Sequence, residues 1–352
     1  MTETITTEAS TIEQIHIFRA TDPEWQEWVS RTEHDFYHTS AYHLYSERND
    51  EGDAYLAVYG SPDRFLALPY LLRDIPGTLP AARDITSVYG YAGPLSYGKT
   101  LDDGFLHRAW SAIHHVWRGQ NAVSGFARLH PVLNNHTFVE APELSVEDAV
   151  TPVKCNLVEL APTISLDLKQ SDEEANKDYR STTRHNIRKA RAAGLVTEID
   201  HNWAHLDDFM CLYHNTMDRN CASAYYFFTR EQILDLKQAL GSHAVLVHVW
   251  YEGQIVSSCF FVDYNGFLHA HLEGNHPEYM KFAPFKLMVD DMRVLIRAQG
   301  RHTLHLGGGR GATEDSLFHF KAGMSKRRHP FFVAKWIVDP IRYEALVDER
   351  RI

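Results

Sequence analysis

Apolar and polar positions along this chain alternate between a two-residue and a roughly 3.6-residue period, and the switches mark out its elements. Ile15-His16-Ile17-Phe18 reads as a short strand. Asp22-Pro23-Glu24 then supplies a cap, a first-turn proline and an N-terminal acid, and Trp25, Trp28 and Val29 follow at helical spacing. Two β-like runs, 54–59 and 65–72, are split by Gly60-Ser61-Pro62-Asp63, so a hairpin is predicted. Phe105, Ala109, Ile113 and Val116 place an amphipathic helix over 103–120, and a strand over 123–129 closes this half.

The second half has a clearer rhythm. A polar helix is predicted over 171–193, and two further helices over 203–218 and 230–240. Three strands follow, over 244–251, 255–263 and 267–273, joined by Glu252-Gly253-Gln254 and Tyr264-Asn265-Gly266, both good hairpin turns. A helix over 285–299, a strand over 303–306, a helix over 314–321 and a strand over 331–338 complete it. An antiparallel meander that switches to βαβ crossovers is an α/β plan of the mixed-sheet, α+β kind. The first half reads as a weaker copy, which points to a duplicated unit.

Composition narrows the class. The chain has 352 residues, with 44% hydrophobic and 23% charged content, so fibrous, disordered and small disulfide-rich classes are excluded. Lys+Arg 35 against Asp+Glu 46 leaves a net charge of −11, which excludes a general nucleic-acid coat. Cys155, Cys211, Cys221 and Cys259 show no paired spacing and are expected to be free thiols in a cytoplasmic protein. No secretory signal and no membrane span are expected.

Three groups of residues could carry chemistry. Arg180, Arg184, Arg188 and Arg191 are spaced 4, 4 and 3, and so fall on one face of the polar helix. They form either a solvated basic face or a stripe facing phosphate. His305-Leu306-Gly307-Gly308-Gly309-Arg310-Gly311 joins a strand to a helix, a place where backbone can approach an anion closely. From Ser316 to Val338 there is no acid, while Lys321, Lys326, Arg327, Arg328 and Lys335 all fall there. The run His269-Ala270-His271 is expected to put its two rings on opposite sheet faces, with Glu273 sharing the face of His271. No metal site is expected, and no serine-elbow or cysteine signature supports covalent hydrolysis.

Four stretches together resemble the Fem-type peptidyltransferases, proteins built of two GNAT-like domains. They are Phe36-Tyr37-His38-Thr39 leading to Tyr42; Asp84 through Pro94, which includes Tyr89 and Tyr91; Arg184-His185-Asn186-Ile187-Arg188-Lys189-Ala190 followed by Gly194; and the Gly307–Gly309 loop with Phe320-Lys321. The resemblance implies a GNAT-like domain over 1–155, a catalytic one over 156–338, and a tail over 339–352 packing back on the first. It implies transfer of an acyl group to an amine, with aminoacyl-tRNA as donor and no further cofactor. Lys321 then stabilises the developing oxyanion, His271 or Glu273 orients or deprotonates the amine, and Tyr226, Phe320, Arg219, Tyr89 and Tyr91 are candidate substrate contacts. Arg184, Arg188 and Arg310 are candidates for phosphate.

Two departures redirect the acceptor. Where peptidoglycan-type members place basic residues that grip a nucleotide diphosphate, this chain has Ser46 and Ala222, so a small amine acceptor is expected instead. The stretch 274–284 also lacks the glycine-rich pyrophosphate loop of acyl-CoA enzymes. An acyl-CoA-dependent N-acyltransferase and a non-catalytic binding module remain the alternatives.

Overall fold

The computed structural model describes residues 13–139 and 154–349. The chain divides into two compact units, one of Met1–Val158 with Phe332–Ile352 and one of Glu159–Phe331. The second boundary thus falls inside the last strand and not at 338. Residues 333–337 pair with a strand of the first unit, which commits them to it.

In the first unit, β1 (Gln14–Arg19), β2 (Asp53–Ser61), β3 (Arg64–Ile75) and β4 (Ala82–Thr86) form an antiparallel meander. A short β5 (Leu95–Gly98) pairs with the start of β3, and β6 (Ala122–Arg128) runs parallel to β4. Helices α1 (Pro23–Ser30) and α2 (Ser40–Arg48) lie between β1 and β2, and α3 (Asp103–Gly119) precedes β6. Asp102 caps α3 by accepting from the Phe105 amide at 2.9 Å. Phe105, Ala109, Trp110, Ile113 and Trp117 form its buried face, against Leu66, Leu68, Tyr70 and Trp336. Ser46 is buried on α2, away from solvent.

The second unit repeats this plan. It is entered along β7 (Lys154–Asp167), and α4 (Asp172–Asp178), α5 (Ser181–Ala192), β8 (Val196–Ile199), α6 (Leu206–Arg219) and α7 (Arg230–Leu240) follow. Next come β9 (Ala244–Tyr251), β10 (Gln254–Tyr264), β11 (Phe267–Asn275), α8 (Pro284–Ala298), β12 (Thr303–Gly307) and α9 (Ser316–Ala322). The sheet order is β7-β12-β11-β10-β9-β8, with β11 and β12 parallel and the other neighbours antiparallel. The chain leaves along β13 (Arg328–Ile337), and α10 (Pro340–Glu349) packs on β6 in the first unit. The order β13-β6-β4-β3-β2-β1 of the first unit has the same sequence of pair directions. The duplicated mixed sheet is therefore present.

One expected helix is two. Tyr179 and Arg180 are extended, with ψ of 136° and 150°, so the run over 171–193 breaks between α4 and α5. The cause lies outside the segment. Tyr179 is buried, and its hydroxyl donates to Asp290 on α8 at 2.9 Å. Arg180 therefore precedes the first turn of α5 and does not share the helix face of Arg184 and Arg188.

Gly274 sets how closely α6 approaches β11. A Cβ there would stand against the Leu212 carbonyl carbon and 2.5 Å from the Tyr213 nitrogen, both backbone atoms with no way to yield. Gly274→Ala is expected to destabilise the chain by about 1–3 kcal/mol, as overpacking does. Urea unfolding checks this, and an unchanged midpoint would refute the close-approach argument.

Candidate functional site

The parallel pair β11/β12 is short. Its register holds for Phe267–Thr303, Leu268–Leu304 and His269–His305, after which the strands part. Beyond that point β11 keeps only β10, and β12 continues along β7. The parting leaves backbone edges facing a wedge, the kind of place where open α/β sheets bind ligands.

A bulge in β11 sorts the side chains of the wedge. Phe261 pairs with Ala270 but Phe260 pairs with Leu272, so His271 is the extra residue. Its ring lies 6.1 Å from that of Phe260. Glu273 pairs with Cys259 and so lies with Phe261 and Ala270, on the face packed by α8 and α9. His269, which pairs with Val262, shares the face of Phe260. Both sequence expectations for this run are corrected. Residues two apart in a strand share a face, so His269 and His271 are not on opposite sides. The bulge then separates His271 from Glu273.

Lys321 comes to Glu273 from α9. Asp315 begins that helix by accepting from the Phe318 amide at 3.0 Å, and Phe318 and Ala322 are buried in the core. The lysine Nζ donates to the Gly308 carbonyl oxygen at 3.0 Å, which ties it to the glycine loop. Gly309 is required there, because a Cβ would stand 2.5 Å from the Asp315 carboxylate and against the Thr313 carbonyl oxygen.

Electrostatics single out this pair. Burial lowers the Lys321 pKa below the usual lysine value, and the Glu273 charge works against that, followed by Cys259 and Asp315. Burial raises the Glu273 pKa above the usual carboxylate value, and Lys321 opposes it. Burial also raises the Cys259 thiol well above its usual value. Lys321 and Glu273 nevertheless keep some accessible surface. Desolvated ionisable groups that keep some accessible surface are the kind of perturbed acids and bases that gather at functional sites.

The remaining candidates are placed as follows. Phe320 lies beside Lys321 on α9 and packs against the core. Tyr226 is held through its carbonyl oxygen, which accepts from the Tyr213 hydroxyl at 2.7 Å. Arg219 donates to Thr216 Oγ1 at 3.1 Å and lies 3.4 Å from the Met280 sulfur. Tyr89 and Tyr91 belong to the first unit. There the Tyr89 carbonyl accepts from the Tyr42 hydroxyl, and the Tyr91 ring meets that of Tyr37 edge-on.

The phosphate candidates divide. Arg184 donates to the carbonyl oxygens of Asn176 and Tyr179, closing the end of α4. Arg310 spans Asp315 at 2.7 Å and Asn220 at 3.3 Å, bracing the glycine loop against the end of α6. Arg191 pairs with Asp290 and Asp291. Arg188 is exposed on α5. The roles of Gly308, Cys259 and Asp315 were not read from the sequence, and a helix cap such as Asp315 was the one detectable signal among them.

Residues 177–321 match the Acetyltransferase (GNAT) domain family. No protein of curated function matches the sequence. The solved structure of FemX is similar over 94% of this chain and 99% of its own, with a TM-score of 0.64 and 13% identity. A tandem GNAT protein from the clavulanic acid biosynthesis pathway is similar over 92% and 98%, with a TM-score of 0.51 and 13% identity. The C-terminal domain of a putative lysylphosphatidylglycerol synthetase from Agrobacterium fabrum is similar over 77% and 80%, with a TM-score of 0.50 and 14% identity.

A carboxylate is the foremost charge supporting the Lys321 ammonium. Glu273→Gln is therefore expected to lower the Lys321 pKa further. The pH dependence of its modification by trinitrobenzenesulfonate, followed by peptide mass, measures this, and an unmoved midpoint would dissociate the pair. With the GNAT domain matched over 177–321 within the second unit and the same sheet plan present in both, this chain has the Fem-like double-GNAT fold.

Proposed function

We propose that this chain makes an amide bond by moving an aminoacyl group from aminoacyl-tRNA to a small amine. The observation that carries the reading is the desolvated Lys321–Glu273 pair at the open end of β11 and β12, with Lys321 tied to the Gly308 carbonyl. A carboxylate with a raised pKa is suited to take a proton from an ammonium acceptor near neutral pH. The freed nitrogen attacks the ester carbonyl and the carbon–nitrogen bond forms. The carbonyl oxygen gains charge beside Lys321, and the intermediate collapses with loss of the ester oxygen, which takes up a proton. A fixed ammonium at such an oxyanion contributes about 2.7–4 kcal/mol per donor.

Support for an aminoacyl group comes from the likeness to a protein described as a lysylphosphatidylglycerol synthetase, and from the motif order shared with Fem-type enzymes. The match to an acetyltransferase domain favours one second reading, an acyl-CoA donor. Local backbone argues against it. A diphosphate needs free amides ahead of α8, but the His276 amide donates to Val256, that of Tyr279 to His276, that of Ala283 to Met280 and that of Lys286 to Ala283.

The test offers charged tRNA or an acyl-CoA panel with candidate amines, with and without ribonuclease. Product that disappears with ribonuclease is expected, and turnover of acyl-CoA alone would overturn the donor. Lys321→Ala is expected to lower kcat by about 10²–10³-fold with the fold intact. The pH profile follows from the same pair. Glu273 must be deprotonated, so activity falls as pH drops through a pKa raised above 4.5. Lys321 must be charged, so activity falls as pH rises through a pKa lowered from 10.5. A bell with both limbs displaced inward is expected from kcat/KM against pH, and an acid limb at the ordinary glutamate value would remove Glu273 as the base.

A further inference from the structure

Among the described residues, Lys286 is the buried lysine, and no acid pairs with it. It lies in the first turn of α8 and is 7% exposed, between the core residues Phe285 and Leu287. Its Nζ makes one long hydrogen bond, to Thr183 Oγ1 at 3.4 Å, and lies 4.8 Å from the centre of the Phe320 ring. Two exposed arginines share its neighbourhood, the Arg180 charge acting on both Lys286 and Arg328. Arg180 occupies the N-cap position of α5 and donates to the His319 carbonyl oxygen at 3.5 Å. Arg328 donates to the carbonyls of Ser325 and Arg327, and its charge lies 5.7 Å from the Phe318 ring.

Among the described residues, the hydrogen-bond partners of these three cations are neutral: a hydroxyl and three carbonyls. Elsewhere on the same helices the protein does supply acids, as with Arg191 and Asp290 or Arg293 and Asp172. Burial, and then the charge of Arg180, hold the Lys286 ammonium below the usual lysine range. Burial and Arg180 also lower Arg328, against a smaller opposing influence from Glu314. A buried cation facing other cations costs stability unless an anion joins them. The aromatic ring that Lys286 lies over is Phe320, next in the chain to Lys321, so the cluster packs against the short helix that carries the proposed oxyanion lysine.

We propose that Arg180, Lys286 and Arg328 form a phosphate-ester pocket that holds the nucleotide end of the acyl donor beside Lys321. The pocket rests on the reading that the donor is borne on a nucleotide. It supplies by side chains the anion binding that the backbone ahead of α8 does not offer. A guanidinium pair over an ammonium suits a phosphate, since arginine presents paired donors and lysine a point charge.

The experiment measures binding of the trinucleotide CCA, adenosine and coenzyme A to the full chain by calorimetry, at low and at raised salt. CCA is expected to bind at least tenfold more tightly than adenosine and to weaken with salt, as phosphate contacts require. Lys286→Met is expected to raise the melting temperature, because a buried unpaired charge is removed, and to weaken CCA binding at least tenfold. Arg328→Gln, at an exposed position, is expected to weaken binding without changing stability. Coenzyme A bound more tightly than CCA, and lost in both variants, would uphold the pocket and overturn RNA as the donor. Absence of binding to either phosphate-bearing probe, or variants that bind both as the parent does, would overturn the pocket. Ribonuclease-sensitive transfer that persists unchanged in Lys286→Met would overturn the pocket alone and leave the proposed activity standing.

Discussion

A lysine and a glutamate taken out of water at the mouth of two parting strands impose the main constraint on the second unit. Neither charge is stable there alone, and each moderates the desolvation of the other. Keeping them in register requires β11 to carry a bulge, which turns Glu273 toward α9 while His271 meets Phe260. It also requires α9 to start where Asp315 can cap it, so that Lys321 reaches the Gly308 carbonyl.

The basic character of this region has a different meaning once the partners are known. Much of it is structural: Arg184 closes α4, Arg191 ties α5 to α8, and Arg310 braces the glycine loop. Ion pairs at such half-exposed positions are worth little individually and chiefly fix geometry. Among the described residues, the group around Lys286 also has no carboxylate among its hydrogen-bond partners, and burial makes Lys286 its costly member. In a chain of net charge −11, three cations therefore share one neighbourhood with neutral hydrogen-bond partners.

The two units share a sheet plan but not the residues set around it. In the first, Ser46 is buried on α2, and the Tyr91 ring after β4 meets that of Tyr37 edge-on. In the second, Glu273 lies just beyond the parting of the parallel strands, with the Lys321 charge acting on it. Duplication preserves the order of strands because connections and pair directions determine it, while the residues lining the gap are free to differ.

The sequence by itself determined the hairpins, the amphipathic α3 and α8, and the meander followed by crossovers, because periodicity and turn residues act locally. It also picked out Lys321, Phe320 and the glycine loop through motif order. It did not reveal α2, β4, β5, β7 or β8, which are short or lack clean alternation. Nor did it reveal the break before α5, which comes from Tyr179 reaching Asp290 more than a hundred residues away. Lys286 could be seen between Phe285 and Leu287, yet nothing local distinguished a buried lysine from one reaching solvent. The tertiary structure alone decided the face of Glu273, because one extra residue in β11 reverses the alternation on which any reading by period depends.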